Sequence, residues 1–100
     1  MLQVWNCTTD HPVYLEPGQA KCTILRQLVV DLTGNAPYMI EIRETIPRKN
    51  RLYGIRLSGL GQQMYVHDLI VYVPISIKLW RIGRPTPRDV PPRVRVFVEW

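Results

Sequence analysis

The last eight residues, Arg93-Val94-Arg95-Val96-Phe97-Val98-Glu99-Trp100, alternate polar and apolar side chains with one exception, Phe97. A two-residue period is what a strand with one dry and one wet face requires, because successive side chains leave a pleated backbone on opposite sides. Val94, Val96, Val98 and Trp100 therefore share one face, and Arg93, Arg95, Phe97 and Glu99 the other. The same period returns elsewhere. Tyr38 to Glu44 places Tyr38, Ile40 and Ile42 inward with Glu41 and Arg43 outward, and Ile75 to Trp80 repeats the pattern after Pro74.

Leu2 to Trp5, Pro12 to Leu15, Leu52 to Leu57 and Met64 to Val73 also read as strands. The last is expected in two pieces around His67-Asp68, and Gly54 marks an expected bulge or close backbone approach. Residues 20–33 are ambiguous. Ile24, Leu25, Leu28, Val29 and Leu32 would share a helical face ended by Gly34, but the segment is rich in β-branched residues and bounded by turns. The preferred reading is a strand with Cys22, Ile24, Leu28, Val30 and Leu32 on one side and a bend near Arg26. Turns are expected at Glu16-Pro17-Gly18-Gln19 and Gly34-Asn35-Ala36-Pro37. Thr45 to Arg51 is a basic loop, Ser58 to Gln63 a flexible connection, and Arg81 to Pro92 a loop rich in Pro and Arg. The nine prolines sit mostly between the apolar runs, where a missing backbone donor costs no sheet hydrogen bond. Roughly seven to nine short strands, with turn signals about every ten residues and no clear helix, predict one all-β domain over residues 1–100. Its expected form is an antiparallel β-sandwich or a small barrel.

Charge is unevenly spread. Residues 1–50 carry five basic and five acidic side chains, whereas residues 51–100 carry eight and three, so the whole excess of +5 lies in the second half. Ten of the thirteen bases are Arg, the better residue for bidentate contacts with carboxylate or phosphate. An anionic partner such as nucleic acid, or an acidic protein surface, is one expectation; a solvated face is the other. Leu2-Gln3-Val4-Trp5-Asn6 is not expected to act as a secretory leader, and the longest apolar run, Leu69 to Ile75, is far too short to span a bilayer. A soluble protein without a membrane span is expected. Cys7 and Cys22 could form one bridge, but a disulfide framework needs more cysteines, so reduced and partly buried thiols are expected. Asn6-Cys7-Thr8 matches the N-glycosylation pattern, which is short enough to arise by chance.

No catalytic set emerges. Ser58 lacks the nucleophile elbow, Ser76 sits on the wet side of its strand, and His67 and Asp68 are sequence neighbours that a strand points to opposite faces. Cys7, His11, Cys22 and His67 lack the paired close spacings of a zinc site, and Gly59-Leu60-Gly61 lacks the lysine and following helix of a phosphate loop. Glu41 with Glu44, or Asp68 with Asp89, read as ordinary surface acids. The chain is therefore expected to be non-enzymatic, with no cofactor, no metal and no small-molecule substrate.

Binding features remain. The basic clusters are Arg48-Lys49-Arg51, possible anion contacts, and Arg81, Arg84, Arg88, Arg93 and Arg95. With Trp80, Phe97, Tyr53, Tyr65 and Tyr72 nearby, they make a small basic barrel binding single-stranded nucleic acid the second reading. In its absence Trp80 and Tyr72 would pack inside the sandwich. Trp5, Trp80 and Trp100 suggest a third, a carbohydrate-binding module, unless they seal the core. The first reading is an interface protein. Arg81, Arg84, Pro85, Pro87 and Arg88 lie in a pre-extended loop that loses little entropy on docking, and Arg93, Arg95 and an exposed Phe97 continue the contact surface. A chain ending within a strand also leaves an expected sheet edge for oligomerisation.

Tyr14-Leu15-Glu16-Pro17-Gly18, the run Cys22 to Gly34, and Ala36-Pro37 leading into Tyr38 to Arg43 resemble small jelly-roll domains of virion proteins, in which a PG turn feeds a long strand. Val71-Tyr72-Val73-Pro74 leading into Ile75 to Trp80 is similar to their late strands. The resemblance covers residues 12–100 and transfers no catalytic residue. It implies symmetric assembly as a capsid, decoration or tail component, with a homo-oligomer or other virion proteins as partners and the virion as location.

Overall fold

Alternating side chains become eight strands, β1 (Leu2–Cys7), β2 (Val13–Leu15), β3 (Thr23–Leu32), β4 (Tyr38–Glu44), β5 (Arg51–Leu57), β6 (Gly61–Val71), β7 (Ile75–Arg81) and β8 (Arg93–Glu99). The structure is a computed structural model that describes residues 1–17, 22–45 and 51–99, leaving aside the side chains of Arg51 and Leu52. Among the described residues there is no helix, and so none long and apolar enough to cross a membrane. The expected contacts of Arg48 and Lys49, the side chain of Arg51, residues 18 and 19 of the first turn, and Trp100 lie outside the description.

Each of the first four strands pairs antiparallel with one of the last four: β1 with β8, β2 with β7, β3 with β6 and β4 with β5. The resulting ribbon wraps so that β8 also meets β3 and β7 also meets β4. Two four-stranded sheets result, in the orders β1-β8-β3-β6 and β2-β7-β4-β5. A doubled-back ribbon rolled into two facing sheets is a jelly roll. One expectation changes with it. The C-terminal strand leaves no open edge, because wrapping inserts β8 between β1 and β3; the edges are β1, β6, β2 and β5.

The core lies between the sheets. Leu25, Leu28 and Val30 of β3 and Val94, Val96 and Val98 of β8 face Ile40 and Ile42 of β4 and Ile75, Ile77 and Leu79 of β7, all essentially without solvent contact. Each such side chain gives about 1.5–3 kcal/mol by leaving water.

Residues 20–33 form a strand, and its bend at Arg26 explains its mixed period. The ladder to β8 slips between Leu25 and Gln27, leaving Arg26 as the extra residue of a bulge. One inserted residue reverses which side chains face inward. Thr23 and Leu25 are therefore the buried residues before the bulge, in place of the expected Cys22 and Ile24, while Leu28, Val30 and Leu32 follow it as expected. The three-residue step from Leu25 to Leu28, helical in appearance, is this bulge.

The opposite strand absorbs the same irregularity. β6 continues unbroken where two pieces were expected, but Val66 and Asp68 flank His67 with φ of 55° and 50°. The β3–β6 register jumps from Gln27–His67 to Leu28–Tyr65, leaving Val66 without a partner. β6 also begins at Gly61, so Gly61 to Gln63 are strand instead of connection. Gly54 pairs regularly with Glu41; the slip expected there falls between Ile42 and Arg43, at the end of the β4–β5 ladder.

Candidate functional site

The Pro/Arg loop is held from within. Arg81, the last residue of β7, donates from Nε to Asp89 Oδ2 at 2.9 Å and from Nη2 to Oδ1 at 3.2 Å. The same carboxylate accepts the Thr86 amide and hydroxyl, each at 2.9 Å. Arg81 above all, then the Thr86 amide, hold the Asp89 carboxyl down at about 2. Gly34 supports the far end, where a Cβ would come within 3.1 Å of Val90 Cβ. Arg84, Pro85, Pro87 and Arg88 are exposed on this braced loop, whereas Arg81 is its internal anchor.

Beyond the loop, Arg93 is exposed and Arg95 lies 3.9 Å from Asp31 on β3. Phe97 was expected to be exposed. It is half-buried, because Val4 and Gln27 flank it in register on the two neighbouring strands.

Outer positions of β1-β8-β3-β6 are unexpectedly apolar. Register places Leu2, Glu99, Ile24 and Ile70 in one row, Val4, Phe97, Gln27 and His67 in the next, and Asn6, Arg95, Val29 and Met64 beyond. Leu2 is 59%, Val4 53%, Ile70 50% and Met64 71% exposed. Most of the charges there are paired. Arg26, freed by the bulge, donates to Glu99 at 2.5 Å and to Asp68 at 3.0 Å. Among the described side chains three cations (Arg26, Arg93, Arg95) stand against three anions (Asp31, Asp68, Glu99), with the N-terminal ammonium acting on Glu99 as well, so charges on this face come close to cancelling.

The other sheet presents a different outer face. Trp80, Met39 and Arg56 form one row, Lys78, Glu41 and Gly54 the next, and Tyr14, Ser76 and Arg43 a third. Ser76 points outward as expected but is buried between its neighbours. Arg43 donates to Glu41. Trp80, 43% exposed, and Tyr14, 60% exposed, border one hollow of about 260 Å³ with Lys78, Thr8, Thr9 and Pro12. Trp80 and Tyr72 thus do not pack inside the sandwich, and Trp80 does not seal the core. Nor do the described tryptophans form one platform, since Trp5 belongs to β1 of the opposite sheet, on the side it shares with Cys7.

Cys7 and Cys22 are free, and no group of three or more His, Cys, Asp or Glu that could hold a metal occurs among the described residues. The apolar face and the Trp80–Tyr14 hollow were both missed in the sequence. Parity alone could have found them: Leu2 and Val4 take the same parity on β1, and Ser76, Lys78 and Trp80 the outward parity on β7. No protein-family model matches the chain, and no curated protein or solved structure does either.

Proposed function

We propose that this chain is a non-enzymatic assembly protein, a jelly-roll subunit of the virion type that associates with a second copy of itself through the outer face of β1-β8-β3-β6. One observation carries the reading: Leu2, Val4, Met64 and Ile70 are each at least half exposed on a single sheet face. They stand at the two edges of the sheet, on either side of half-buried Phe97 and Ile24 and the Arg26–Glu99 pair, and exposed apolar side chains on both sides of one face mark a contact site. Charge selects the occupant. With its described cations and anions nearly balanced, the face offers little field to a strongly acidic or basic partner, whereas a copy turned about a twofold axis brings the same apolar rows to meet it. Four strands about 4.8 Å apart and about seven residues long give a footprint on the order of 450 Å² per subunit. That approaches the lower limit of specific interfaces, so a weak dimer is expected unless the exposed Arg84, Pro85, Pro87 and Arg88 add contacts. The jelly-roll strand order supports the virion type, and the basic loop suits an acidic coat surface or packaged nucleic acid.

Light scattering across a range of protein concentrations tests the reading. A monomer–dimer equilibrium is expected, displaced to monomer by Val4→Lys or Met64→Lys. A wild-type chain that stays monomeric at every concentration overturns it.

A further inference from the structure

We infer that the outer face of β2-β7-β4-β5 binds single-stranded nucleic acid, with the rings of Trp80 and Tyr14 as stacking surfaces and Lys78 as the phosphate contact between them. This does not rest on self-association, which uses the opposite sheet.

Geometry comes first. Trp80, Lys78 and Ser76 are alternate residues of β7 and point the same way, about 7 Å apart along the strand. Tyr14 lies beside Ser76 in register, so the line reads ring, ammonium, ring. Both rings and Lys78 border the same hollow. A cationic groove with successive exposed rings is the arrangement that holds single strands irrespective of sequence, because every base offers a π-face.

Electrostatics agrees. Lys78 and Arg56, in the rows of this face, have no ion-pair partner among the described residues. Arg84 and Arg88, likewise unpaired there, follow Trp80 on the braced loop. On the opposite face most cations are spent on neighbours. A sulfated or uronic-acid glycan would meet the same charges but needs partners for its many hydroxyls. The hollow supplies chiefly Thr8 and Thr9, and Thr8 Oγ1 already accepts the His11 amide at 3.0 Å. A base needs only a ring to lie against.

The test is fluorescence anisotropy of the full chain with labelled oligothymidylate at several salt concentrations. Contacts by Lys78 and Arg56 alone give a log–log salt slope of about −1.4, and by Arg84 and Arg88 as well about −2.8. Trp80→Ala and Tyr14→Ala should each weaken binding by about fivefold or more. Trp80→Phe, which keeps a ring, should stay close to wild type, and Lys78→Gln should flatten the slope by about 0.7. Circular dichroism of each variant checks that it is folded, and Leu60→Ala, in the exposed turn before β6 and outside both sheet faces, should bind as wild type. No salt-dependent binding, a folded Trp80→Ala or Tyr14→Ala with wild-type affinity, or an equal loss in Leu60→Ala overturns the proposal. So does a sulfated glycan that binds more tightly than the oligonucleotide with the same dependence on Trp80.

Discussion

Cys7 and Cys22 bring one functional group into two environments. Cys7 is buried at the end of β1, its Sγ 3.5 Å from the Ile77 carbonyl oxygen, and burial pushes its thiol above the ordinary range. Cys22 is half-buried just before β3. Because only the thiolate reacts, a thiol reagent at mildly alkaline pH should label Cys22 first and Cys7 only on unfolding. Peptide mapping of a labelling time course reads this directly; equal rates would contradict the burial of Cys7. Gly34 shows the same local logic through sterics. A Cβ there would press on the Cβ of Val90 at 3.1 Å and on its carbonyl oxygen at 3.4 Å, neither the flexible end of a side chain. Gly34→Ala should therefore cost about 1–2 kcal/mol in chemical denaturation. An unchanged midpoint would mean that loop 82–92 yields freely.

Among the elements, that loop has the clearest pH signature. Asp89 titrates at about 2 in the folded chain against an ordinary 3.8, so its contribution is complete above the ordinary value. The contribution is lost as pH falls from about 4 towards 2, since the unfolded chain takes up the proton first. A carboxyl titration followed by NMR should place the Asp89 midpoint near 2, and Asp89→Asn should leave the loop loosened at every pH. A midpoint at the ordinary value would show that Arg81 and Thr86 do not hold the carboxylate. The strands themselves were largely legible in the sequence. β4, β7 and β8 follow from clean alternation, because each sits inside a sheet with one face on the core. β3 and β6 were legible only in part. Their paired irregularities at Arg26 and Val66 reverse the alternation, and no single-strand pattern records what the opposite strand does. The roles of Arg81 and Asp89 were hidden for a similar reason. Eight residues part them in sequence, and only the folded loop brings the charges together.

At the scale of the whole molecule the jelly roll is a slab, 43 × 26 × 18 Å, so its two broad sheet faces dominate the surface. They differ in chemistry. One carries exposed apolar side chains among nearly balanced charges, and the other carries exposed rings beside Lys78 and Arg56, which have no ion-pair partner among the described residues. A chain of 100 residues buries a smaller share of its surface than a larger domain does and gains from a partner that covers an apolar face. The core sets intrinsic stability. Ile77, wholly buried and paired to Val13 and Ile42, should cost about 2–5 kcal/mol when changed to Ala, a large part of the roughly 5–15 kcal/mol of a typical domain. Self-association adds a different term. Binding that exists only in the folded state raises apparent stability by mass action, so Tm should climb with protein concentration. Wild-type chain melted at two concentrations tenfold apart should show the higher Tm in the denser sample, and Met64→Lys should abolish the difference. Ile77→Ala should lower both values while leaving the difference in place, because it removes core packing and spares the outer rows. A wild-type Tm independent of concentration would mean that no second copy covers Leu2, Val4, Met64 and Ile70, and the assembly reading would fall with it.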